Sequence, residues 1–183
     1  MVQTARGSAI ALAIALLAAP AAAGQPKAKP KAATVGATFA KYYRAHYGDI
    51  KRDVLAWHGT SRNGCVAFAS TALRHAGIAI PQDVKRLDAN VSRITYAFSD
   101  YLEHDLGWAR SEDVATLQPG DLIFTTGWPD HVYVFASWHD RKHTIVDAID
   151  NNANVHTRPV AGDVTLDLAA YAYALRPAVV KSE

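Results

Sequence analysis

Ser61-Arg62-Asn63-Gly64-Cys65-Val66-Ala67-Phe68-Ala69-Ser70-Thr71-Ala72-Leu73-Arg74-His75-Ala76-Gly77 is the stretch on which the reading of this chain turns. The polar loop from Gly59 to Gly64 offers several N-cap residues. From Cys65 onward, Val66, Phe68, Ala69, Ala72, Leu73 and Ala76 form an apolar stripe, and Gly77 supplies a C-terminal stop. The segment predicts a buried central helix with the chain's one cysteine in its first turn. A single cysteine makes no disulfide within the chain. A thiol at a helix N-terminus meets the positive end of the macrodipole, which favours the attacking thiolate. Free cysteine is also a common small core residue, so packing alone is the competing reading. The remaining sequence decides between them.

On the N-terminal side, Val35 to Tyr47 carries Phe39, Tyr42, Tyr43 and Tyr47 near helical spacing, which reads as core. Gly48 interrupts this pattern, and Asp49 to Trp57 predicts a second helix. On the C-terminal side, Ile94 to Leu106 predicts an amphipathic helix ended by Gly107, with Asp100, Glu103, His104 and Asp105 on its solvated face. The pattern then changes to β-branched and apolar runs: Leu122–Thr125, His131–Ala136, Thr144–Ile149 and Ala170–Arg176. The polar stretch from Trp138 to His143 suits a hairpin connection. Helices first and strands second predict an α+β fold with an antiparallel sheet.

The N-terminus reads as a secretory signal. Arg6 supplies the positive region, Ala9 to Ala18 the apolar core, and Ala21-Ala22-Ala23 the small residues of a cleavage site. That core is too short to span a bilayer comfortably, so a secreted or periplasmic protein without stable membrane insertion is expected. The expected organisation is a signal peptide at 1–23, a Pro/Lys linker at 24–34 and one domain at 35–183. A formal net charge of +2 is too weak to imply nucleic-acid binding. No phosphate-cradling glycine loop or close-set zinc motif is present. His139 and His143 are four apart but fall in a hairpin rather than on a helix, so no metal and no cofactor is expected.

A cysteine nucleophile needs a base, and the base needs an orienting group. His131 heads a strand just after a loop, Asp147 lies on the next strand, and Asp150 stands three residues beyond it. Adjacent strands can set an imidazole beside a carboxylate. Both aspartates remain candidates on this spacing. Trp128, in the loop before His131, and Tyr133 are the candidate substrate contacts, while Tyr42, Tyr43 and Trp57 read as core. Asp121, in the Gly120-Asp121 turn, reads as structural.

Three blocks carry a resemblance. Leu117-Gln118-Pro119-Gly120-Asp121-Leu122-Ile123-Phe124, His131-Val132-Tyr133-Val134 and the Cys65 segment together resemble the NlpC-type cell-wall peptidases, with the CHAP amidases as close relatives. The likeness covers roughly Ser61 to Val160. It implies a papain-like core in which Cys65 attacks a peptide or amide carbonyl of peptidoglycan and His131 is the paired base. It also implies that the backbone N–H of Cys65 donates to the oxyanion. Asp147 aligns with the family's third polar residue and is preferred on that ground, with Asp150 as competitor through a bulge. The chain departs from the pattern at Gly64, Val66, Ala67 and Tyr133, and in having Asp147 where the nearest relatives carry histidine. The expected partners are peptidoglycan stem peptides or cross-links. The competing functions are a catalytically inactive wall-binding protein on the same fold, and a thiol hydrolase or effector acting on another acyl substrate.

Overall fold

The computed structural model describes residues 35–126, 130–166 and 168–177, all within one compact unit. The expected signal peptide and linker lie outside the described residues, as does Trp128.

Three helices open the domain: α1 (Val35–Ala45), α2 (Tyr47–His58) and α3 (Cys65–His75). The break between α1 and α2 falls at His46 rather than at the expected Gly48, which sits inside α2. His46 leaves helical geometry at φ −111°, ψ 18°, and its Nδ1 pairs with Tyr42 O at 2.9 Å. Gly59 closes α2 in the left-handed conformation, donating its N–H to Leu55 O. In α3 every residue from Cys65 to Leu73 is buried. A helix that is apolar nearly all round belongs between layers, and α3 contacts both α2 and the sheet strand β5 (Val132–Trp138).

A short hairpin, β1 (Lys85–Arg86) with β2 (Ala89–Asn90), precedes α4 (Thr95–Asp100). The expected helix from Ile94 to Leu106 is α-helical only as far as Asp100; Tyr101–Asp105 continue as a π-helical turn. The remaining strands are β3 (Ala109–Ser111), β4 (Leu122–Thr125), β6 (Ile145–Ile149), β7 (His156–Pro159) and β8 (Tyr171–Arg176). With β5 they make one antiparallel sheet in the order β3-β8-β4-β5-β6-β7. The α+β class and the antiparallel sheet are therefore as expected, while β3, β7 and the β1–β2 hairpin are additions.

Alternation along β5 splits the core. Val132 and Val134 join Phe39, Val66, Phe68 and Leu73 on the helical side. Tyr133 and Phe135 join Leu117, Val146, Ala148 and Ala174 on the other face. The Leu117–Asp121 segment is pinned to this scaffold. Gly120 donates its N–H to Phe135 O at 2.8 Å, and the buried Asp121 accepts from Gln118 N at 2.8 Å. Arg176 grips Asp121 with Nε to Oδ1 at 2.9 Å and a second nitrogen to Oδ2 at 2.8 Å, a bidentate pair.

Gly120 has φ +93°, and a Cβ there would meet Gly36 O of α1 at 1.9 Å. Backbone touches backbone at this point, so neither partner can yield by changing a rotamer. Gly120→Ala is expected to destabilise the domain by more than about 2 kcal/mol, the left-handed strain and the clash acting together. Gly48→Ala, where the added Cβ meets nothing within 4 Å, is expected to stabilise it by about 0.5–1 kcal/mol. Urea unfolding of the two variants checks both signs.

Candidate active site

Cys65 is the first residue of α3, and Gly64 at the N-cap supplies no side-chain cap hydrogen bond. That end of the helix keeps its dipole and donors free for an anion. Cys65 is 8 % exposed and opens onto a cavity of about 580 Å³, lined also by His131, Asn151, Arg62, Arg93 and Asp130.

His131 sits at the mouth of β5, fixed to β4 through both backbone groups. Its N–H donates to Thr125 Oγ1 at 2.9 Å, and its C=O accepts from Thr125 N at 3.1 Å. The ring donates from Nε2 to Asp150 Oδ2 at 2.8 Å. With a carboxylate as its partner, Nε2 carries a proton, and Nδ1 is the ring nitrogen outside this bond. Burial works against a charge on His131, but the hydrogen bonds to Asp150 and Cys65 and their negative charges raise its pKa to about 9.

Asp150 is the carboxylate that bonds the His131 ring. Its side chain is fully buried. Oδ1 accepts the backbone N–H of Asn152 at 2.8 Å and of Ala153 at 3.3 Å. Around Oδ2 stand His131, then His156 Nε2 at 3.0 Å but off the line of a hydrogen bond, then Arg158 at 3.6 Å. Burial pushes the carboxyl pKa up, yet His131 and His156 hold it well below the usual carboxylate range.

The preference for Asp147 is corrected here. Asp147 accepts from Ser137 Oγ at 2.7 Å and pairs with His139 Nδ1 at 3.0 Å, away from the cavity. The register explains why. Asp147 lies opposite Ser137, six residues along β5 from His131 and so roughly 20 Å away at strand rise. Continuing the Val134–Ile149 pairing by one step brings Asp150 level with Tyr133, beside His131. A register shift between Phe135 and Ser137 separates these two stretches.

Tyr133 as a substrate contact is also corrected. It is 2 % exposed, packed in the cluster on the sheet face away from the helices, with the Arg158 guanidinium 4.9 Å above its ring. Asn151, absent from the expected set, ties the site together: its Nδ2 donates to Ser61 O at 3.0 Å, linking the turn after Asp150 to the loop before Cys65. His156 and Arg158 were likewise not anticipated. Their spacing of two along β7 puts both on one face, the only trace of them in the sequence. Tyr43 is wholly buried near Asp150 and Cys65, its hydroxyl has no hydrogen-bond partner, and burial first, then those negative neighbours, raise its pKa well above normal.

Among the described residues no group of three or more His, Cys, Asp or Glu side chains is placed to hold a metal ion. His143 stacks on Trp138 at 4.4 Å while His139 pairs with Asp147. No helix among the described residues is long and apolar enough to cross a membrane. Compared with protein-family models, curated proteins and solved structures, the chain matches none.

Proposed function

We propose that this protein is an exported cysteine hydrolase with a papain-like core, cleaving a peptide or amide bond of bacterial peptidoglycan. The observation that carries the reading is the line from the uncapped start of α3 through Cys65 to His131 and on to the buried Asp150. The blocks resembling the NlpC-type peptidases and the secretory signal read in residues 1–23 supply the substrate class and the location.

In this mechanism the Cys65 thiolate attacks the acyl carbon, forming the C–S bond. The N–H groups at the start of α3 receive the oxyanion. His131 passes the Nδ1 proton to the leaving amine as the C–N bond breaks. Water, deprotonated by the now neutral His131, then hydrolyses the thioester and restores the pair. Asp150 stays ionised and stabilises the imidazolium.

Incubation of purified sacculi with the mature protein, read by mass spectrometry of released muropeptides, tests the reading. New amino and carboxyl termini at one bond type are the expected result, and undigested sacculi would leave the wall-binding protein and the thiol hydrolase of another acyl substrate as the alternatives. The pH profile of kcat/KM gives a second check. Acylation requires the imidazolium, so activity is expected to fall as pH rises through about 9. Weakening the Asp150 bond removes a raising influence, so in Asp150→Asn this alkaline limb moves to lower pH.

A further inference from the structure

The cavity above Cys65 holds more positive charge than its carboxylates balance. Arg62 enters it from the loop before α3, Arg93 from the turn before α4 and Arg158 from β7, against Asp130 as the one carboxylate in the described lining. Arg158 is already engaged, buried between Asp150 and the ring of Tyr133. Arg62 and Arg93 are exposed, and neither has a carboxylate within ion-pair distance among the described residues. Arg93 lies 5.4 Å from the centre of the Trp57 ring, and among the described residues its guanidinium donates no side-chain hydrogen bond. Beside it, Ile94 and Tyr96 are 40 % and 53 % exposed and give the same cavity an apolar wall.

We propose that Arg62 and Arg93 make this a cleft for acidic acyl donors, in which a carboxylate next to an apolar segment is held by guanidinium groups while Cys65 meets the carbonyl. The proposal rests on the nucleophile reading above and adds the charge of the substrate. A planar guanidinium with free donors takes a carboxylate through two parallel hydrogen bonds. Unpaired positive charge in a cleft also raises the local concentration of anions, and salt screens the effect.

The test uses the mature protein and two thiol reagents that differ only in charge, iodoacetate and iodoacetamide. Each forms a C–S bond at Cys65 and releases iodide, and the chain's single cysteine makes the labelled site unambiguous. At low salt and pH 7, iodoacetate is expected to outpace iodoacetamide by roughly tenfold, within the range of electrostatic steering in charged clefts. The same ratio for the unfolded protein serves as reference. In the Arg62→Gln, Arg93→Gln double variant the ratio is expected to fall severalfold, and in the Arg62→Lys, Arg93→Lys variant to recover in part. A folded-state ratio equal to the unfolded one, or one unmoved by the glutamine pair, overturns the proposal while leaving the nucleophile in place. Failure of both reagents to label the folded protein sinks the nucleophile reading and this inference with it.

Discussion

Cys65→Ala is expected to abolish hydrolysis, lowering kcat by roughly 10⁴-fold or more, because a covalent mechanism has no route around its nucleophile. The fold should survive. The side chain is small, and its neighbours Val66 to Leu73 anchor α3 independently of it. Near-native thermal unfolding with lost muropeptide release is therefore the combination to look for. Cys65→Ser keeps the shape but offers a hydroxyl that His131 cannot hold as an anion, so it should be almost as inactive. Equal digestion of sacculi by wild type and Cys65→Ala would dismiss the thiol mechanism outright.

Asp150→Asn is expected to carry the second-largest effect, and Asp147→Asn almost none. The amide in place of Asp150 can still bond His131 but no longer compensates the imidazolium, and by analogy with buried triad carboxylates kcat should drop roughly 10²–10⁴-fold. KM should change little, since the interaction strengthens in the transition state. Among the described residues the Asp147 carboxylate bonds Ser137 and His139 near the surface, so its replacement should leave turnover within about twofold. Stability separates the two as well. Asp150 is a fully buried partner of Arg158 and two imidazoles, and removing one side of such a cluster costs about 3–5 kcal/mol. Because the folded carboxyl is held below its ordinary value, its contribution is present above about pH 4 and is lost as pH falls toward the depressed pKa. The stability gap between wild type and Asp150→Asn should accordingly close in acid. A larger kinetic loss at Asp147 would contradict the assignment.

The sequence showed some parts of this molecule plainly and hid others for physical reasons. The apolar stripe from Val66 to Leu73 and the β-branched runs of β4, β5, β6 and β8 announce themselves, because burial imposes their periodicity. Strands β3 and β7 read Ala-Arg-Ser and His-Thr-Arg-Pro, polar edge segments whose pairing comes from their neighbours. The π-helical turn after Asp100 is a backbone choice that no side-chain pattern signals. The places of Cys65 at the start of a helix and of His131 just before a strand were legible from the flanking apolar runs. The third residue was not, since choosing between Asp147 and Asp150 needs the register of β5 against β6, and that register shifts between Phe135 and Ser137. Tyr133 misled for a related reason: its place two residues after His131 says nothing of how deeply that face of the sheet is covered.

The position of β8 has a bearing on when the protein can act. This last described strand is an interior one, lying between β3 and β4, with Tyr173 stacked on Phe124 at 5.0 Å and Arg176 holding Asp121. A nascent chain halted before residue 171 thus has β3 without a neighbour, β4 with a bare edge, and the turn that docks on α1 unclamped. His131, fastened to β4 through Thr125, stands beside a strand whose other neighbour is β8, with Thr125 opposite Tyr171. Synthesis must pass residue 176 before this part of the sheet can close. On the hydrolase reading proposed above, a polypeptide released short of that point carries Cys65 and His131 on an unfinished sheet.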